Sequence, residues 1–324
     1  MGHSGTCVGR RGVHEALAVS AFAVFVVVVG FHVLGSLRTL TMLEPSSCDL
    51  EQPPPHHEIG RAGITCPTTF VTQYFHIPSK HEHSEYIKWI QSIPPMCLLV
   101  FTDSPQLWNV SDQVIVQTTL CSEGRVMNKS QCFWREQWGL DPEAGIHRSF
   151  LLYLTWNLKA HFLSEAVRLD PFTSEFFFWM DAGYARVPLR GEARTLVPRI
   201  DPGRVHFLLV GRFTENELRG SFHYTVRQDR LAGNMFGGHK TSIPAWVDLY
   251  YRVFRQYIDS GWFVGKDQNI MNTVCTRHPS VCYIVDPRVW YFGNPWFSMW
   301  ECLLRQRECG YLSVNESGPL GLSW

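Results

Sequence analysis

Phe176-Phe177-Phe178-Trp179-Met180-Asp181-Ala182-Gly183 runs five large apolar residues straight into an acid and a glycine. Continuous apolarity suits a strand covered on both faces, as in a parallel sheet flanked by helices. Working outward, residues 69–75 are β-branched and aromatic, residues 97–102 are continuously apolar, and residues 114–118, 205–210 and 281–285 read as further strands. Helical spacing separates them. Residues 79–93 carry Tyr86, Ile87, Ile90 and Ile93 on one face, with Ser79 as a cap and Glu82 three residues on. Residues 150–169 predict one long helix ended by Pro171, and residues 243–258 an amphipathic one. This alternation predicts an α/β sandwich with a mostly parallel central sheet, whose ligands sit at the carboxyl ends of its strands.

The remainder of the chain sets its context. In 324 residues, 29 Lys and Arg balance 29 Asp and Glu, so no basic face favours nucleic acid; 45% hydrophobic content excludes a disordered chain. Residues 16–37 carry no formal charge and are long enough to span a bilayer. A cleavable leader and a buried core helix are the rival readings; the first usually has a shorter apolar region, and the second a polar stripe. Arg10 and Arg11 precede the span and only Arg38 follows it, which predicts a cytosolic tail at 1–15 and a lumenal body. Three prolines, Pro53 to Pro55, mark residues 38–65 as an extended stalk before a domain at 66–324. Sequons at Asn109, Asn128 and Asn315 fit a lumenal body. Close cysteine pairs also fit: Cys121 with Cys132, Cys275 with Cys282, and Cys302 with Cys309. Cys48 with Cys66 is a fourth option, leaving Cys97 as a buried free thiol.

Acids that end apolar strands are the candidates for chemistry. Asp181 suits a divalent cation or a ribose, with Gly183 allowing close approach; its bland role is to end a strand. Asp103 repeats the arrangement after residues 98–102. Lys159 could neutralise a phosphate or lie on a solvated helix face. Gly237 and Gly238 suit either a ligand or a tight turn. Asp267, in Gly265-Lys266-Asp267-Gln268-Asn269, could cap a helix or orient a hydroxyl nucleophile. Patterns for dinucleotides, P-loop nucleotides and serine hydrolases are absent.

Taken in order, these segments resemble the WlaTC/HtrL/YibB family of glycosyltransferase-like proteins over about residues 68–295. The matching pieces include Thr72-Gln73-Tyr74-Phe75, Trp156-Asn157-Leu158-Lys159, Phe178-Trp179-Met180-Asp181-Ala182-Gly183 and Phe236-Gly237-Gly238. The resemblance implies a GT-A-like nucleotide-binding sandwich that takes a nucleotide sugar as donor and a glycan or other hydroxyl as acceptor. Asp103, Lys159, Asp181 and Gly183 would face the donor, and Gly237, Gly238 and Gln268 the acceptor. Asp181 would hold Mn²⁺ or Mg²⁺, although only the first acid of the usual Asp-x-Asp pair is present. Asp267 and Asp229 are the candidate bases for the acceptor hydroxyl. With residues 16–37 as signal-anchor, the chain reads as a type II membrane glycosyltransferase of the Golgi or ER. An inactive lumenal binding protein with the same fold is the alternative.

Overall fold

A computed structural model describes residues 57–59, 63–108, 113–218, 229–287, 294–305 and 309–312. The predicted anchor, the tail, most of the stalk, Asn109 and Asn315 lie outside the described residues. Among the described residues, no helix is long and apolar enough to cross a membrane.

Nine strands form one sheet: β1 His57–Ile59, β2 Thr68–Tyr74, β3 Leu98–Thr102, β4 Gln113–Gln117, β5 Phe176–Met180, β6 Val205–Leu209, β7 Leu231–His239, β8 Cys282–Pro287 and β9 Cys309–Leu312. Their order is β1-β4-β3-β2-β5-β7-β6-β8-β9. β2, β3, β4 and β5 are mutually parallel, and β6 and β8 run the same way. β7 lies antiparallel between β5 and β6, and β1 and β9 are antiparallel edges. The expected mostly parallel sheet is thus present, with one reversed strand at its centre. The predicted stalk also contributes: residues 57–59 pair with β4 and cover an edge that would otherwise expose unpaired backbone.

The helices are α1 His83–Gln91, α2 Leu120–Gly124, α3 Gln131–Leu140, α4 Ala144–His147, α5 Leu151–Asn157, α6 Lys159–Leu169, α7 Glu215–Leu218, α8 Ile243–Asp259, α9 Asp267–Arg277 and α10 Ser298–Arg305. They cover both faces of the sheet. Phe177 and Trp179 of β5 pack on one side with Val71, Phe162 of α6, Trp246 of α8 and Ile270 of α9. Phe178 and Met180 point the other way, to Phe70, Ile90 of α1 and Trp300 of α10. That two-sided burial is why β5 reads as unbroken apolar sequence. In α8, Ile243, Trp246, Val247, Tyr250, Val253, Phe254 and Tyr257 are buried at helical spacing.

Several expectations are corrected. α1 starts at His83, four residues after Ser79; its cap is Glu82, whose N–H donates to Glu85 Oε2 at 3.0 Å. Ser79 is buried and instead donates to the Tyr86 hydroxyl at 3.1 Å. The long helix divides at Leu158 into α5 and α6. Cys97 is not a free thiol: it is bonded to Cys66, which removes the Cys48–Cys66 option. Both lie at the entrances of the neighbouring strands β2 and β3, with Cα atoms 6.4 Å apart. Burial and disulfide bonding are compatible at an apolar strand start, and that is why the thiol reading failed. Cys275–Cys282 and Cys302–Cys309 pair as expected, and Cys121 and Cys132 are both disulfide-bonded.

Gly237 is a packing glycine of this sheet. A Cβ there would lie 2.6 Å from Phe178 Cα and nearer still to the Phe177 carbonyl oxygen. Backbone cannot yield as a flexible side chain does. Gly237→Ala is therefore expected to lower stability by about 1–3 kcal/mol, read as an earlier urea midpoint.

Candidate functional site

After the edge strand β1, the chain lays down β2, steps outward to β3 and β4, and then returns to the other side of β2 for β5. The strand order therefore reverses between β2 and β5, the place where open α/β sheets leave a crevice beyond their carboxyl ends. A cleft of about 460 Å³ opens there, lined by residues that follow β2 (Ile77, Ser79, Lys80) and β5 (Asp181, Ala182, Gly183).

At the cleft, three charged side chains meet. Lys159 Nζ lies 3.1 Å from Asp181 Oδ1 and 3.0 Å from Asp267 Oδ2, and donates to the Gly233 carbonyl at 2.8 Å. Trp179 Nε1 also donates to Asp181 Oδ1, at 2.7 Å. Lys159 and Asp267 are buried, at 5% and 4% side-chain exposure, whereas Asp181 is 34% exposed. Burial opposes the Lys159 charge, but the Asp181 and Asp267 carboxylates outweigh it and hold the ammonium above its ordinary pKa. Asp267 is pushed up, first by burial, with Lys159 partly countering. Gly233 is small for a reason: a Cβ would approach Asp267 Oδ2 to 2.9 Å.

Buried polar groups place this lysine. Asn157 Nδ2 donates to the Tyr153 carbonyl at 2.9 Å and to the Val264 carbonyl at 3.0 Å. Its Oδ1 accepts from the Tyr250 hydroxyl at 2.8 Å. One amide thus ties the α5–α6 junction to α8 and to the segment that leads into α9. Lys159, the first residue of α6, and Asp267, the first of α9, are brought together by it. The solvated-face reading of Lys159 is therefore overturned. Asp267 is not the helix cap either, since Lys266 precedes it in that role.

Two further groups complete the cleft. On one side Lys80 Nζ stands 5.4 Å from the Trp156 ring centroid, and Lys266 pairs with Glu143. Desolvation and then Lys266 lower the Lys80 pKa. Asp229 lines this side, and burial raises its pKa despite Lys266 and Lys80 nearby. On the other side Arg186 packs 4.7 Å from the Phe297 ring centroid and 5.7 Å from that of Trp89. Its Nη1 is 3.1 Å from His81 Nε2. Burial, and then the Arg186 charge, lower the His81 pKa.

Asp181, Gly183, Lys159, Asp229, Asp267 and Gln268 all line the cleft. Asp103 is not among its lining residues. It accepts from the His76 N–H at 3.1 Å and from the Ser104 hydroxyl at 2.8 Å, and the His76 ring stacks on His83 of the cleft wall at 3.6 Å. Gly237 and Gly238 are not brought to the site. They pair with Phe178 and Phe177, inside β5, because β7 runs antiparallel and presents Gly233 and Asn234, near its start, to the cleft. Among described sequons Asn128 is exposed, just before Ser130, whose hydroxyl accepts from the Phe133 N–H at the start of α3.

Glu143, Trp156 and Arg186 were not singled out from sequence as site residues. Arg186 carried a signal, since it follows the acid closing β5 within the same loop. Glu143 carried none.

A divalent cation does not fit the donor set. Mn²⁺ and Mg²⁺ take several oxygen ligands. Asp181 Oδ1 is already engaged by an ammonium and an indole N–H. Among the described residues, no three His, Cys, Asp or Glu side chains converge as metal ligands.

No curated protein matches the chain. The family model described as "Bacterial protein of unknown function (HtrL_YibB)" matches residues 141–304. That span starts after Lys80 and contains Lys159, Asp181, Arg186, Asp229, Gly233, Lys266 and Asp267. With just over half its length matched, and with the Lys159–Asp181–Asp267 centre inside the matched part, the chain belongs to the HtrL/YibB family.

Proposed function

We propose that the protein is a glycosyltransferase that moves a sugar from a nucleotide-sugar donor to a hydroxyl of a glycan acceptor. The observation that carries this reading is Asp181. It closes β5 at the switch in strand order and is accessible from a cleft large enough for a small molecule. Tyr86, Trp89, Trp156 and Trp296 line that cleft and offer flat apolar surfaces to sugar and base rings.

The chemistry follows from charge. The acceptor oxygen forms a bond to the anomeric carbon as the bond to the diphosphate oxygen breaks. The bonding pair leaves with the nucleoside diphosphate, and the hydroxyl proton passes to a base. Asp229 suits that role better than Asp267, because Lys159 holds Asp267 as a buried ion pair. Cationic side chains of the cleft receive the charge that develops on the leaving group.

The proposal extends to location: residues 16–37 anchor the chain in the Golgi or ER membrane as a type II protein with residues 66–324 in the lumen. Three described disulfides support an oxidising compartment. Glycans at Asn109, Asn128 and Asn315 would agree.

The test is release of nucleoside diphosphate by the full chain from a panel of nucleotide sugars with glycan acceptors. Asp181→Asn is expected to reduce turnover by about 10²-fold or more, as when a positioned electrostatic group is lost. No release from any donor overturns the reading. An inactive binding protein is the second reading, favoured by the contacts that already occupy Asp181 Oδ1; saturable nucleotide binding without turnover would identify it.

A further inference from the structure

Four carboxylates line the cleft (Glu143, Asp181, Asp229, Asp267), as do four lysine and arginine side chains (Lys80, Lys159, Arg186, Lys266). Their pairing is uneven. Lys159 serves Asp181 and Asp267, and Lys266 serves Glu143. Among the described residues, Lys80 and Arg186 have no carboxylate within ion-pair distance. Both lie against aromatic rings, and both flank His81: Lys80 precedes it in the chain, and Arg186 touches its Nε2. His81 accepts a hydrogen bond from Arg186 there, so its ring is neutral and the positive charge on this side belongs to Arg186.

We infer that the cleft binds a diphosphate between Lys80 and Arg186 without a divalent cation. This rests on the transferase reading and names the part of the donor that the site holds. A diphosphate needs positive charge. A carboxylate-held metal usually supplies it, but the acid that would hold such a metal already has an ammonium as its counter-ion. Lys159 is buried and tied to three oxygens, so it neutralises protein carboxylates and does not take the phosphates. Lys80 and Arg186 are exposed and make no ion-pair contact among the described residues, and Arg presents a fork that matches phosphate oxygens. Gly183 also lines the cleft and lets the loop after β5 pack on the Trp89 ring, which a Cβ would approach to 3.3 Å.

The experiment titrates the full chain in detergent with inorganic pyrophosphate, by calorimetry, in EDTA and then with excess Mg²⁺ or Mn²⁺. Saturable binding in EDTA, no tighter with metal, is the expected result. Lys80→Ala and Arg186→Gln should each weaken it about tenfold, the loss of one hydrogen bond to a charged group. Both residues are exposed, and unchanged circular dichroism would verify that the variants fold. Binding that requires the metal, or that ignores both substitutions, overturns the inference. The transferase reading fails separately: pyrophosphate bound in EDTA with no turnover of any donor sinks that reading and leaves this site standing. Metal-dependent turnover does the reverse.

Discussion

Lys159→Met is expected to destabilise the protein by about 3–5 kcal/mol, measured by chemical denaturation. The size comes from what stays behind. Methionine fills a similar volume, but Asp267 then keeps a carboxylate at 4% exposure without its counter-ion, and Asp181 and the Gly233 carbonyl each lose a contact. Breaking a buried pair costs more than the pair is worth, because an uncompensated charge remains. Lys159→Met combined with Asp267→Asn should therefore recover part of the loss. A single variant that loses under about 1 kcal/mol would mean the ammonium is not the centre's counter-ion. The pH sign follows from the raised lysine pKa. Its contribution is complete below the ordinary value of 10.5 and is lost as alkali carries the pH through the higher folded value.

Asp229→Asn should give the largest loss of turnover, about 10²–10⁴-fold in kcat, as when a general base is removed. Stability should move the opposite way. Burial raises the Asp229 pKa, so the folded chain holds this proton more tightly than the unfolded chain does. Stability therefore falls as pH rises from the ordinary value of 3.8 through the raised one, and stays lower above it. The asparagine variant should melt higher than the parent at neutral pH, and equally where both states are protonated. In activity, the parent's acidic limb should be displaced upward from the ordinary aspartate value of 3.8. A variant with full kcat would remove Asp229 from the base role; one that melts lower at neutral pH would contradict its burial as the cause of the shift.

The α/β class and the central strand were legible because burial on both faces leaves a one-dimensional mark. No polar residue occurs from Phe176 to Met180, so the acid that follows reads as the strand's end. Asp181 and Asp267 were legible as candidates for a related reason: each stands where an apolar or glycine-marked element begins or ends; Asp229 entered only as a carboxylate available to act as base. Lys159 was visible only as one of two options. A lysine within a helical pattern looks the same whether it faces water or a buried carboxylate pair, and the partners are 22 residues away in Asp181 and 108 away in Asp267.

Gly237 and Gly238 failed for a directional reason. A strand's sequence carries no sign of which way it will run beside its neighbour. Antiparallel β7 carries its first glycine, not its last two, to the cleft. The break at Leu158 was hidden too, since Asn157 acts through Tyr250 and Val264, contacts that local periodicity cannot register.

By itself, then, the sequence determined the layered architecture, the strand-closing acids and two of the local disulfide pairs, because each depends on patterns within a few residues. Tertiary structure alone decided that an ammonium sits between Asp181 and Asp267, that Cys66 pairs with Cys97, and that, among the described residues, Lys80 and Arg186 make no ion-pair contact with a carboxylate. Those are consequences of which distant groups come within a few ångströms in a medium too poor in water to screen them.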